Sequence, residues 1–151
     1  MTNAEKYKKE LNAIENRCFA VNKYNNNKVA HCDAIQCEDC LFRTFPYDLC
    51  DARRVKWLIS EYEDVLRISR LEYEILKYLS KYTNYKYISK DKNFMICVFA
   101  TEPKRKEEHW ERIEPYEMLD LFKEAFLFLD WEDEPMLIDN ILERAKVVEN
   151  E

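Results

Sequence analysis

Residues 31–50 read HCDAIQCEDCLFRTFPYDLC, and four of the chain's six cysteines lie here: Cys32, Cys37, Cys40 and Cys50. The spacing is Cys-x4-Cys-x2-Cys-x9-Cys. The Cys37-Glu38-Asp39-Cys40 step lets one tight turn offer two sulfurs to one ion, and Cys32 and Cys50 bracket it. Zinc held by four thiolates is the simplest occupant, because structural zinc sites are closed and four-coordinate. Two disulfides or an iron–sulfur cluster are the competing readings, and disulfides require an oxidising compartment. The segment is polar and poor in apolar residues, so a metal would supply folding free energy that its side chains do not. His31, adjacent to Cys32, is a fallback ligand. Cys18 falls in line with Ala4, Tyr7, Leu11 and Ile14 at helical spacing and reads as a buried thiol. Cys97 lies in an apolar run and reads as core.

Working outward, residues 3–17 form an amphipathic pattern with Asn3 as cap, and residues 18–23 and 28–31 flank an Asn run as a hairpin. A second helix is expected from about Asp51, with Val55, Leu58, Ile59, Tyr62 and Leu66 as its apolar positions. Ser69 and Glu72 make a capping box for a third helix that turns Leu71, Ile75, Tyr78, Leu79 and Tyr82 inward. The period then shifts. Residues 85–90 alternate, 94–100 are continuously apolar, and Asp91-Lys92-Asn93 is the turn of a β-hairpin. Trp110–Ile113 is expected to add a third strand. Pro115 and Pro135 are expected to begin helices, the first carrying Met118, Leu121, Phe122, Ala125, Phe126 and Leu129, the second Ile138, Ile141, Leu142 and Ala145. The fold class is therefore α+β: a zinc-stabilised N-terminal region with helices (residues 1–68), then a helix–hairpin–helix region with a small antiparallel sheet (residues 69–151).

Composition narrows the function. The chain has 151 residues, 47% of them hydrophobic, and no glycine. A phosphate loop, a dinucleotide fingerprint and a nucleophile elbow each need glycine, so all three are excluded. Turns should rely on Asn, Asp and Pro, with Asn25–Asn27 and Asn84 as candidates. With two histidines, one of them beside the cysteines, and a metal site closed by four thiolates, no enzyme is expected. The polar N-terminus is no signal peptide, no run has transmembrane length, and a reducing cytoplasm suits the thiols.

Charge is unevenly distributed. Residues 1–106 carry 20 Lys/Arg against 15 Asp/Glu, a net of +5, whereas residues 107–151 carry 4 against 15, a net of −11. Lys86, Lys90, Lys92, Lys104, Arg105 and Lys106, with Tyr85, Tyr87 and Phe94 among them, would allow phosphate contacts with base stacking on a nucleic acid. The acidic C-terminal third disfavours that reading. Glu107, Glu108, Glu111, Glu132, Asp133 and Glu134, with Trp110 and Trp131, instead suggest a protein-binding surface that competes for a basic, nucleic-acid-holding channel.

The pattern Cys32…Cys37-Glu38-Asp39-Cys40-Leu41-Phe42…Cys50…Lys56-Trp57-Leu58…Glu61-Tyr62 resembles a group of small cysteine-containing proteins of phages and prophages of Firmicutes. LEYEILKYL (71–79), YKYISKDKN (85–93) and FLFLDWEDEP (126–135) are similar to that group in the same order, so the resemblance spans residues 30–142. Some small phage proteins of these hosts are anti-CRISPRs. The resemblance implies a zinc-containing inhibitor that binds a type II CRISPR effector nuclease in the host cytoplasm and hinders its target DNA. The alternative is a zinc-stabilised nucleic-acid-binding accessory or regulatory protein of the phage.

Overall fold

The computed structural model describes residues 1–14, 18–24, 28–43 and 50–148. The Asn25–Asn27 turn and the end of the first helical pattern fall outside the described residues. The chain divides into two compact units, Met1–Val65 and Leu66–Glu151. The division comes slightly before the one expected at residue 68, because Leu66–Ser69 pairs with the C-terminal strand of the second unit.

In the first unit the N-terminal pattern forms two short helices, α1 (Asn3–Lys6) and α2 (Lys8–Asn12). Thr2, not Asn3, is the cap of α1, in a capping box with Glu5. Asn3 is buried and its Nδ2 donates to the Trp57 carbonyl at 2.9 Å. The expected hairpin is present as β1 (Phe19–Val21) and β2 (Val29–His31), antiparallel, with Ala20 opposite Ala30. Helix α3 spans Cys50–Ile59. Its inward face is carried by Trp57 and Leu58, whereas Val55 and Ile59 are exposed. Trp57 is the centre of an aromatic core, with ring centroids 5.5 Å from Tyr7 and 5.9 Å from both Phe19 and Phe42. Tyr62 lies beyond the end of α3, and Leu66 begins a strand of the second unit.

The second unit opens with β3 (Leu66–Ser69) and α4 (Arg70–Tyr82). Ser69 and Glu72 form the expected capping box. The Glu72 carboxylate also accepts the backbone N–H of Phe126, so this half-turn staples two distant segments. The expected hairpin is formed by β4 (Tyr87–Lys90) and β5 (Ile96–Phe99), with Ser89 opposite Cys97. It is the middle of a four-stranded antiparallel sheet of order β6-β5-β4-β7, completed by β6 (Tyr116–Met118) and β7 (Met136–Leu137). Helix α5 (Ile138–Arg144) follows, and β8 (Ala145–Val148) lies parallel to β3. The core joins α4, α5 and the sheet through Leu66, Ile68, Leu76, Ile88, Val98, Phe126 and Ile141.

Several expectations fail here: strand β7 and not a helix follows Pro135, with α5 starting at Ile138 and Ala145 opening β8, and Leu71, Tyr78 and Tyr82 of α4 face outward. No helix forms after Pro115: Tyr116–Met118 pairs with Phe99–Cys97, Asp120–Phe122 is a short 3-10 turn, and Leu121 is 92% exposed. The fully buried strand β5 takes a partner on each side, and that pairing outweighs the local helical period. Trp110 makes a single bridge to Arg105 and not a third strand.

The hairpin turn shows what a chain without glycine must accept. Asp91 N–H donates to the Met95 carbonyl at 2.8 Å, and Phe94 sits at φ 69° with its side chain 72% exposed. That position normally falls to glycine, since a Cβ there costs roughly 1–2 kcal/mol. Phe94→Gly is expected to raise stability in urea unfolding by about 0.5–1 kcal/mol, the strain relief being partly offset by the freer unfolded chain.

Candidate functional site

The thiol region is built on the β1–β2 hairpin. Cys32 N–H donates to the Cys18 carbonyl at 2.8 Å, which extends the hairpin ladder by one pair and sets Cys18 directly across from Cys32. The two thiols are close enough to raise the Cys32 thiol. Cys18 is therefore a cross-strand neighbour of Cys32 rather than a helix-core residue, a relation that helical spacing alone does not reveal. Leu41 N–H donates to the Val21 carbonyl at 2.8 Å and Asn22 bridges Cys40, so the chain after the Cys37–Asp39 turn runs along β1. Cys40 is buried, and its Sγ accepts the Phe42 N–H at 3.4 Å.

Arg54, from α3, reaches into this region. Its Nε donates to the Phe19 carbonyl at 2.7 Å, its Nη1 pairs with Asp51 at 2.6 Å, and its Nη2 donates to Cys32 Sγ at 3.5 Å. Burial pushes the Cys32 thiol up, its neighbours Cys18 and Cys40 add to the rise, and Arg54 opposes them. Cys50 is half-buried at the start of α3, one turn before Arg54 and so on the same helix face. Cys37 is exposed on its turn. His31 Nδ1 lies 3.4 Å from Asp33. Of the four expected ligands, Cys32 and Cys40 are thus neighbours, Cys50 faces the same way as Arg54, and Cys37 points to solvent. Among the described residues, no group of three or more His, Cys, Asp or Glu is arranged to hold a metal ion. Cys97 is fully buried in strand β5, where burial pushes its thiol up to about 12, as a core residue should be.

The acidic segments of the second unit are organised by Arg105. Its guanidinium lies 4.5 Å from the ring centroids of both Trp110 and Trp131, whose own centroids are 5.6 Å apart. Its Nη1 donates to the Trp131 carbonyl, its Nη2 donates to the Asp133 carbonyl at 3.0 Å, and it pairs with Glu134 at 3.7 Å. Two segments distant in sequence, 105–111 and 131–134, therefore meet at one stacked cation. Glu107, Glu108, Glu132, Asp133 and Glu134 are exposed there. Glu111 is half-buried and paired with Lys106 at 3.4 Å. Asp133 is exposed as a residue, but partial desolvation of its carboxyl, with Asp130 beside it, raises it above its usual range.

Trp110 is corrected from contact to core. It is 1% exposed, its Nε1 donates to the Lys90 carbonyl at 3.1 Å, and its backbone N–H donates to Asp91 Oδ1 at 2.9 Å. An indole that can satisfy its N–H inside the fold is better buried than presented. Trp131 is half-buried against it. Spacing could not reveal Arg105 as the clamp, because its partners lie 26–28 residues away.

The basic hairpin is correspondingly reduced. Lys90 is buried, which lowers its ammonium, and Arg105 is engaged internally. His109 is exposed and lines a cleft of about 270 Å³ with Lys92, Asn93 and Glu108. Comparison with protein-family models, with curated proteins and with solved structures gives no match. Among the described residues, no helix is long and apolar enough to cross a membrane.

Proposed function

We propose that this chain is a non-enzymatic binding protein whose second unit docks its acidic surface onto a basic protein channel that otherwise holds nucleic acid. The partner implied by the resemblance is a type II CRISPR effector nuclease, which grips its guide–target duplex in a positively charged channel. The observation that carries the reading is the Arg105 clamp. Stacked between Trp110 and Trp131, it fixes the backbone from which Glu132, Asp133 and Glu134 project to solvent. A rigid array of like charges suits a preformed opposite surface, because no loop must be ordered on binding. Asp133 supports the same reading. Its carboxyl is raised, first by partial desolvation and then by Asp130, and a basic partner would offset that cost of ionisation.

Charge reversal at Glu132, Asp133 and Glu134 tests the proposal. The triple variant is expected to keep the fold, with a melting temperature lowered only slightly by loss of the exposed Glu134–Arg105 pair, and to inhibit at least about tenfold more weakly. Inhibition by the parent should also fade as salt rises and as pH falls through the carboxylate range, because both remove the attraction. A variant that inhibits as well as the parent would reduce the acidic surface to a solvated face. The nucleic-acid reading is less favoured, because three of its six cations, Lys90, Arg105 and Lys106, are buried or paired within the fold.

A structural zinc ion bound by Cys32, Cys37, Cys40 and Cys50 belongs to the same proposal. It is supported by the proximity of Cys40 to Cys32 and by Cys50 lying on the same face of α3 as Arg54, whose Nη2 reaches Cys32 Sγ. It requires Cys37 to turn inward on its own turn. The ion would add folding free energy to the first unit and take no part in a reaction.

A further inference from the structure

Helix α4 carries two apolar stripes, and the fold uses one. Leu76 and Leu79 are buried with Glu72 on the core side. Leu71, Tyr78 and Tyr82 remain 58%, 60% and 64% exposed, and Ile75, half-buried with one side against the core, lies between them. The steps from 71 to 75, 78 and 82 are four, three and four residues, the spacing of a two-helix seam. The stripe is about 16 Å long at the rise of an α-helix. The Tyr78 and Tyr82 rings already lie 5.2 Å apart, so part of the seam is preordered.

We propose that this face of α4 docks against the same face of a second copy of the chain, with the two helices antiparallel. The pattern is self-complementary about a point between residues 76 and 77: Leu71 meets the partner's Tyr82, and Ile75 meets the partner's Tyr78. Beside the seam, on one side, stand Glu74 and Lys81, two turns apart and of opposite charge. Antiparallel packing sets Glu74 toward the partner's Lys81 at both ends of the contact. Parallel packing would put the two copies' charged flanks on opposite sides of the seam and lose this pairing. An isologous contact of this kind closes as a two-fold dimer. Three helical turns bury less than the roughly 1,200 Å² of a stable interface, so the dimer is weak and concentration-dependent. The inference is independent of the acidic surface and of the metal.

Sedimentation velocity on the full chain tests it. The mass is expected to rise from one chain at about 10 µM toward two at about 500 µM, as a dissociation constant near 100 µM requires. Tyr78→Glu with Tyr82→Glu should hold the mass at one chain while far-UV circular dichroism stays unchanged, both side chains being exposed. Glu74→Lys and Lys81→Glu should each weaken association severalfold, and the two together should restore it. A one-chain mass at every concentration would overturn the proposal, whether the stripe stays in solvent or is covered within the chain. A dimer that ignores the tyrosine and charge variants would overturn it too.

Discussion

The Cys40→Ser variant is expected to lose its metal and to unfold far more readily than the parent. Without a metal the change is mild: serine fills a similar volume and its hydroxyl can accept the Phe42 N–H, so a loss near 1 kcal/mol is expected. With zinc in place the same change removes one of four thiolates and with it several kcal/mol of folding free energy. The size of the loss therefore reports the metal. Elemental analysis of protein purified without added metal should find about one zinc per chain in the parent and far less in Cys32→Ser, Cys37→Ser, Cys40→Ser and Cys50→Ser. Cys18→Ser should keep its zinc, because Cys18 lies outside the proposed ligand set although it sits across the hairpin from Cys32. Zinc absent from the parent, or lost with Cys18 and retained without Cys50, would refute the assignment.

The second large effect is expected at Asp91. Its carboxylate is 1% exposed and accepts the backbone N–H of Trp110 at 2.9 Å and Nη2 of Arg112 at 2.5 Å. Asp91→Ala leaves the Trp110 N–H buried without that acceptor and strands the Arg112 charge. Removing one partner of a buried pair costs roughly 3–5 kcal/mol, and Arg112, which is partly solvated, places this case near the lower end. Urea unfolding followed by tryptophan fluorescence would measure it, since Trp110 sits on the broken contact. The effect should reach function. Asp91 anchors the start of the segment through Trp110 and Arg105 that holds the 131–134 loop, so Asp91→Ala should weaken inhibition even where the protein remains folded. A loss below about 1 kcal/mol would show that the contact contributes no more than an exposed ion pair.

The legible parts of the fold are those where local signals suffice. The Ser69/Glu72 box names a helix start because both reciprocal hydrogen bonds lie within one turn. The 87–99 hairpin is readable from a change of period, and the 19–31 hairpin from two apolar runs around polar residues. The segment after Pro115 was not readable, because Met118, Leu121, Phe122, Ala125, Phe126 and Leu129 fit a helix locally, whereas β5 requires a partner strand that only the fold reveals. Helix α4 is legible in its position and only partly in its facing: Ile75 and Leu79 pack inward as expected, whereas Leu71, Tyr78 and Tyr82 face out and Leu76 faces in. It has apolar residues on two faces, and the buried face is chosen by Glu72 reaching Phe126, a contact across 54 residues.

The candidate site divides in the same way. The cysteine spacing and the acidic runs are visible in sequence. The pairing of Cys18 with Cys32, the reach of Arg54 to Cys32 and the Arg105 sandwich depend on long-range packing, and no spacing rule encodes them. Trp110 shows the hazard plainly: beside Glu107, Glu108 and Glu111 it reads as an interface anchor, yet its indole N–H has a partner inside the sheet.

The central claim is tested most directly by titrating purified protein into a type II CRISPR effector nuclease, with binding heat and target-DNA cleavage read on the same samples. The account predicts a one-to-one complex, cleavage lost in proportion to occupancy, and binding that weakens as salt rises. Absence of binding at about 10 µM of each protein, together with a salt-dependent complex between this chain and a labelled oligonucleotide, would contradict it and favour the nucleic-acid-binding alternative.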